Sequence, residues 1–321
     1  MTALRKPRRR FVKLATILVA TLILSMEVIS LAVRSGREPS VQMVGGTQLR
    51  HPASDDLIVY FPSLAAHPKR SYDVLRPVMP NVPAMAVRYA PAGYDPEPLF
   101  AMLDQSIKAY GDSHGRRPRL IFVGVSFGAG VALRYRLHQM AMAEQDRVPI
   151  EPARFILYSP VVAGIDLKPG PRALGVLAHA LRGGVVSQAL WTALGGSRLL
   201  YPGDAAANAE TAPNVLSQRL ADIDAFPLAL LSSELRAMRA WKELGAGAMG
   251  HDTVLIFGFN DDGSLTNEAL PRTAALFRTA SIYRLAPSGH ADIERVTTVI
   301  TLMGRPIHTF LDGNPDTPET R

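Results

Sequence analysis

Eleven residues, Leu120-Ile-Phe-Val-Gly-Val-Ser-Phe-Gly-Ala-Gly130, limit the possible folds more than any other part of the chain. Leu120–Val123 is a short apolar run suited to a strand covered on both faces. Gly124-Val125-Ser126-Phe127-Gly128 then spells G-x-S-x-G, a sharp strand-to-helix turn with the serine at its apex. Val131, Leu133, Tyr135, Leu137 and Met140 follow with helix-forming neighbours and no proline, so a helix to about Glu144 is predicted.

The spacing suits nucleophilic chemistry. A serine hydroxyl is a weak nucleophile and must stand clear of the backbone within reach of a base. A tight turn does this but strains the serine's own backbone. Glycines two before and two after let strand and helix approach without a Cβ clash. The helix beginning near Phe127 aims unpaired N–H groups at the reaction centre, so Phe127 N–H is a candidate oxyanion donor. The competing interpretation is a glycine-rich packing turn with an incidental serine.

At these residues the chain resembles the α/β-hydrolase superfamily, over about residues 55–310 and by order of elements. The resemblance implies a mostly parallel sheet with helices on both faces and a triad in chain order Ser, acid, His. Phe61-Pro62, Met79-Pro80 and Ala86-Val-Arg-Tyr-Ala-Pro91 are also similar to the thioesterase branch.

The order of elements can be read along the chain. Leu57–Phe61, Ala84–Tyr89, Arg154–Ser159, Thr253–Phe257 and Ser281–Ala286 are predicted strands, and Val41–Val44 an edge strand. Glu97–Tyr110 is a predicted crossover helix, and another runs from Asn267 to about Thr279. Strands alternating with helices give the rhythm of a parallel sheet. Between Pro160 and His251 no strong strand occurs, only helical patches at 173–181, 186–194, 215–221 and 228–244. One crossover needs about a dozen residues, so a helical cap over about 166–250 is expected between the strands ending near 159 and starting near 253.

The resemblance assigns the remaining site residues. The loop after the first core strand, Pro62-Ser63-Leu64, implies a second oxyanion N–H from Ser63 or Leu64; the His-Gly pair common in that loop is missing here. The strand Thr253–Phe257 leads into Gly258-Phe-Asn-Asp261-Asp262-Gly263, where the family places the acid. Asp261, three after Gly258, is the leading candidate, Asp262 the runner-up and Asp166 an outside alternative. Pro287-Ser288-Gly289-His290 follows the last strand, where the family places its base. A neutral imidazole can take the serine proton and return it to the leaving group. His251 and His308 are expected to be structural or surface groups.

The amino-terminal part is separate. Arg5, Lys6, Arg8, Arg9, Arg10 and Lys13 carry six of the seven net positive charges, with no acid before Glu27. The rest is nearly neutral, so the high pI is no sign of nucleic-acid binding. Leu14–Met26 is apolar and Val28–Val33 extends it past Glu27, which makes 1–34 an export or anchoring segment and 35–55 a tether. As an uncleaved helix of about 20 residues it would span the inner membrane with the basic end inside. As a signal, it would be cut near Ser30-Leu31-Ala32 and release an exported protein. Arg8-Arg9-Arg10-Phe11-Val12-Lys13 also fits a twin-arginine export signal, against a plain positive-inside flank.

Other chemistries are excluded. The chain has no cysteine, hence no disulfide, thiolate metal site or cysteine nucleophile. It has no P-loop, H-E-x-x-H or calcium-loop pattern. Gly245-Ala-Gly247-Ala-Met-Gly250 spells G-x-G-x-x-G but follows a helix and precedes a strand, the reverse of dinucleotide binding; a flexible linker is expected there. The resulting expectation is a domain over 56–311 with a polar tail at 312–321. A Ser126–His290–Asp261 triad would act on a small-molecule acyl substrate without metal or organic cofactor. Acyl transfer or thioester cleavage by the same triad, and a non-catalytic binder on the same fold, stay open.

Overall fold

The structure, a computed structural model, describes residues 38–44, 55–64, 82–170, 228–259 and 264–285, with isolated pieces at 16–28, 72–76 and 172–173. Seven strands form one sheet: β1 (Ser40–Val44), β2 (Asp56–Phe61), β3 (Ala84–Arg88), β4 (Arg119–Val125), β5 (Arg154–Tyr158), β6 (Thr253–Phe259) and β7 (Thr279–Leu285), in the order β1-β3-β2-β4-β5-β6-β7. β1 runs antiparallel to β3 at one edge, and the other pairs are parallel.

The central strands are apolar because both of their faces are covered. Val59, Phe61, Phe122, Phe155 and Ile256 point to one face, and Ile58, Tyr60, Ile121, Val123 and Ile156 to the other, all fully buried. The described helices α1 (Pro96–His114), α2 (Phe127–Asp146), α3 (Leu228–Ala240) and α4 (Ala269–Ala274) all contribute to the first face. Tyr72 packs on the second, edge-on to Tyr60 at 5.6 Å.

Helix ends follow local chemistry. Asp95 accepts from Glu97 N–H at 3.2 Å and Pro96 occupies the first turn of α1, whose pre-set φ suits it there. Gly115 closes α1 in the left-handed conformation. α4 is much shorter than the predicted helix to Thr279. Ala275 N–H still bonds to Pro271 O, but Leu276 and Phe277 bond back three residues, and Thr279 already pairs with Thr253 in the sheet. Burial of Leu276 and Phe277 therefore prevails over helix propensity.

The Gly245–Gly250 segment is a bonded turn rather than a flexible linker. Gly247 and Gly250 have φ of +73° and +58°. Gly247 N–H bonds to Ala275 O at 2.8 Å and Met249 N–H to Leu276 O at 2.9 Å, while the Met249 side chain is buried. His251 beside it is exposed. Of the expected cap, residues 174–227 lie outside the described ones.

The amino ends of the strands are joined by buried charge. Asp252, just before β6, accepts from Arg136 Nε at 2.7 Å, Arg136 Nη2 at 2.8 Å and Ala153 N–H at 2.7 Å. Arg136 also donates to Glu151 O at 2.6 Å, so α2, β5 and β6 are held together at one point. Asp56, which opens β2, pairs with Arg119 and Arg154, which open β4 and β5. Removing one partner of a buried pair leaves an uncompensated charge. Arg136→Met should therefore cost about 3–5 kcal/mol in urea unfolding, and Arg136→Met/Asp252→Leu should recover part of that loss.

Candidate active site

Ser126 sits at the junction of β4 and α2, with φ 51° and ψ −113°. It is one of three non-glycine residues with positive φ among those described. A β-carbon in this region is crowded, and such a residue costs about 1–3 kcal/mol unless its surroundings fix it. The surroundings here do so. Ser126 N–H bonds to Tyr158 O at 2.8 Å, and Ser126 O accepts from Ala129 N–H at 3.1 Å and Val161 N–H at 3.2 Å. Its side chain makes no capping bond to α2.

The glycines around it have contact reasons. A Cβ on Gly124 would lie 2.5 Å from Ala129 Cα, and one on Gly128 would lie 2.2 Å from Phe61 O and 2.4 Å from Pro62 O. The turn therefore lets backbone touch backbone in two places. The second contact presses the loop after β2, which carries Ser63 and Leu64, against the first turn of α2. The register agrees, since Phe61 stands opposite Gly124. Tyr89 fixes the same loop from behind, donating its hydroxyl to Pro62 O at 3.2 Å. Of the expected oxyanion residues, Phe127 follows Ser126 directly, and Ser63 and Leu64 lie on the loop that meets Gly128. First-turn N–H groups of a helix have no partner within the helix.

An aromatic wall stands behind the turn. The Phe127 ring stacks on Trp241 at 5.2 Å and 5°, and Tyr89 and Tyr94 meet it edge-on at 5.4 and 5.1 Å. A Cβ on Gly130 would strike the Trp241 ring at 2.2 Å. Arg134, one turn on, lies 4.0 Å over that ring and donates to Gly130 O at 3.1 Å and Val162 O at 3.0 Å. Burial pulls its pKa down to about 10, which still leaves it charged at neutral pH. Apart from Phe127, none of these wall residues was assigned a site role from the sequence. The one signal was the third glycine, Gly130, which no turn requires and which marks a bulky neighbour.

The expected acids and base stand differently. Asp261, Asp262 and His290 lie outside the described residues, but the flanks of the acid loop are clear. β6 ends at Phe259, and the chain is held again by Lys168 N–H on Ser264 O at 2.9 Å, a bridge between Leu167 and Leu265, and Thr266 N–H on Asp166 O at 2.8 Å. Asp166 has its carboxylate engaged. Oδ2 accepts from Val162 N–H at 2.9 Å and Ala163 N–H at 2.8 Å, and Oδ1 pairs with Arg272. It organises the loop after β5 and has little left to orient an imidazole. A cavity of about 840 Å³ lies between the carboxyl ends of α1 and α2, lined by Arg119, Arg136 and Ala153 among others. It opens at the amino edge of the sheet, away from Ser126.

Searches by structure return α/β-hydrolases. One is an α/β hydrolase enzyme from a Medee basin deep-sea metagenome library, with TM-score 0.61, 12% identity, and 89% of this chain and 98% of that one covered. Another is an esterase from Exiguobacterium antarcticum, with TM-score 0.57, 14% identity and coverage of 84% and 97%. A third is an enol-lactonase from Burkholderia xenovorans LB400, with TM-score 0.59, 17% identity and coverage of 84% and 96%. The chain has the α/β-hydrolase fold. No protein-family model and no curated protein matches it. Within this fold, Ser126 occupies the strand-to-helix turn at the carboxyl edge of the parallel strands, where ligands of open α/β sheets bind.

The Gly128 contact is testable. Gly128→Ala should lower stability by about 1–3 kcal/mol through overpacking against the Phe61–Pro62 carbonyls. Gly170→Ala, where a Cβ meets nothing within 4 Å, should leave the thermal midpoint unchanged.

Proposed function

We propose that the chain is a serine hydrolase that cleaves a carboxylic ester through an acyl-enzyme, with Ser126 as nucleophile, His290 as base and Asp261 as the acid that orients it. The observation that carries this reading is the strained backbone of Ser126, held by close glycine contacts beside the Ser63–Leu64 loop. Strain of this kind persists where the surroundings over-determine it, and it gathers at reacting groups. The esterase and the lactonase among the structural neighbours both act on acyl–oxygen bonds by name, which supports the reaction class.

In the mechanism, the imidazole of His290 takes the Ser126 proton as Oγ attacks the carbonyl carbon. Negative charge gathers on the carbonyl oxygen, where Phe127 N–H and a backbone N–H of Ser63 or Leu64 stabilise it. The imidazolium then protonates the departing alkoxide. Water repeats the cycle on the acyl-enzyme and frees the acid. The strand order supports such a meeting: β4, β6 and β7 run parallel and end at one edge of the sheet. We further propose that the amino-terminal segment anchors the protein in the inner membrane, with the hydrolase domain outside the cytoplasm. Among the described residues, no helix is long and apolar enough to cross a membrane.

A fluorophosphonate probe should label the wild type, and Ser126→Ala should abolish labelling. An unlabelled wild type would favour a non-catalytic binder. Hydrolysis of a short-chain aryl ester should fall as pH drops below neutral, since protonated imidazole cannot accept the serine proton. Asp261→Asn should cut turnover by about 10⁴-fold, as loss of the orienting acid does elsewhere, while Asp262→Asn should stay near wild type. The reverse pattern would move the acid to Asp262.

A further inference from the structure

β1 enters the sheet against the direction of the other strands. Ser40 stands opposite Arg88, the last residue of β3, and Val44 opposite Ala84, the first. Ser40 therefore lies at the carboxyl rim of the parallel strands, the rim that carries Ser126. The chain reaches the domain there and only then runs toward the amino edge. In the order β1-β3-β2-β4, Ser40 is three strand spacings from the end of β4, about 14 Å at the usual 4.8 Å per spacing.

In sequence, the apolar segment ends close to that rim. Only Arg34 to Pro39 separate Val33 from Ser40. Fully extended, such a link covers at most about 25 Å. Upstream, Ile17, Leu18, Val19, Leu22, Leu24 and Val28 belong to helical residues and are 54–72% exposed. Six Lys and Arg residues precede them without an acid. Apolar side chains beside a cationic flank suit a bilayer with anionic headgroups, which covers the first and attracts the second. On the loop after β5, at the same rim, Ile165 is 42% exposed.

We propose that the short link holds the Ser126 site with its mouth toward the bilayer, and that the substrate is a long-chain acyl ester resident in the membrane. This rests on the serine-hydrolase reading above. The acyl carbon passes from the ester oxygen to Ser126 Oγ, the alcohol leaves with the proton from the imidazolium, and water releases the fatty acid. The opposite edge of the sheet is remote. α2 carries the chain from Phe127 to Asp146, about 30 Å at 1.5 Å per residue.

The absence of cysteine makes the orientation measurable in the full chain. Ala92→Cys on the loop after β3 and Gln145→Cys at the end of α2 both replace exposed residues, one at each edge. Each would carry a fluorescent donor, with the protein in anionic vesicles bearing a headgroup acceptor. Energy transfer should be markedly stronger from position 92 than from 145; equal or reversed transfer would overturn the orientation. An insertion of thirty Gly/Ser residues between Gly36 and Arg37 should leave hydrolysis of a soluble short-chain ester unchanged. It should slow hydrolysis of a vesicle-borne long-chain ester by about tenfold, from the fall in effective concentration with linker length. Equal rates on the vesicle substrate would overturn the proposal, as would release of the chain from the membrane after cleavage near Ala32. Fluorophosphonate labelling separates the two failures. A labelled protein with equal transfer loses only the bilayer orientation, whereas an unlabelled one loses the hydrolase reading itself.

Discussion

Backbone contact at the Ser126 turn is the constraint on which the rest of the site depends. Gly124 lies against Ala129, and Gly128 against the carbonyls of Phe61 and Pro62, at separations no β-carbon would permit. These contacts let β4 and α2 meet closely around Ser126, whose positive φ is held by its bonds to Tyr158, Ala129 and Val161, and bring the loop after β2 beside the first turn of the helix. The energetic cost falls on one residue and is offset by a large buried sheet on one side and an aromatic wall on the other.

Much of this was legible in the sequence, for a physical reason. Strands buried on both faces read as apolar runs, so β2, β4, β5 and β6 were found to within a residue or two of their ends. The turn was legible because strand, glycine spacing and helix agree at one point. What escaped notice depends on contacts between distant segments. Trp241 lies more than a hundred residues from Phe127, and no local pattern announces their stacking. The α4 helix was read too long because helix-forming residues continue past Ala274, whereas the buried Leu276 and Phe277 turn the chain into β7. Glycines suggested mobility at Gly245–Gly250, but two of them serve left-handed turns that bond to Ala275 and Leu276. Asp261, Asp262 and His290 remain sequence assignments, drawn from the order of elements.

The two edges of the sheet are built from different forces. At the amino edge, carboxylates of Asp56 and Asp252 meet arginines from neighbouring elements, and each buried charge is matched. At the carboxyl edge the Ser126 turn is set by steric contact and aromatic packing, with Arg134 as a cation laid over a ring. The ion pair described at this edge, Asp166 with Arg272, holds the loop after β5.

The bonds from Asp166, Leu167 and Lys168 to the stretch at 264–266 have a further consequence. With β6 fixed in the sheet as far as Phe259 and Ser264 clamped five positions later, residues 260–263 are a short span between two piers. Adding or deleting a residue would have to be absorbed within the span or would dislodge a pier. Variation in related chains should therefore leave the length of this loop unchanged.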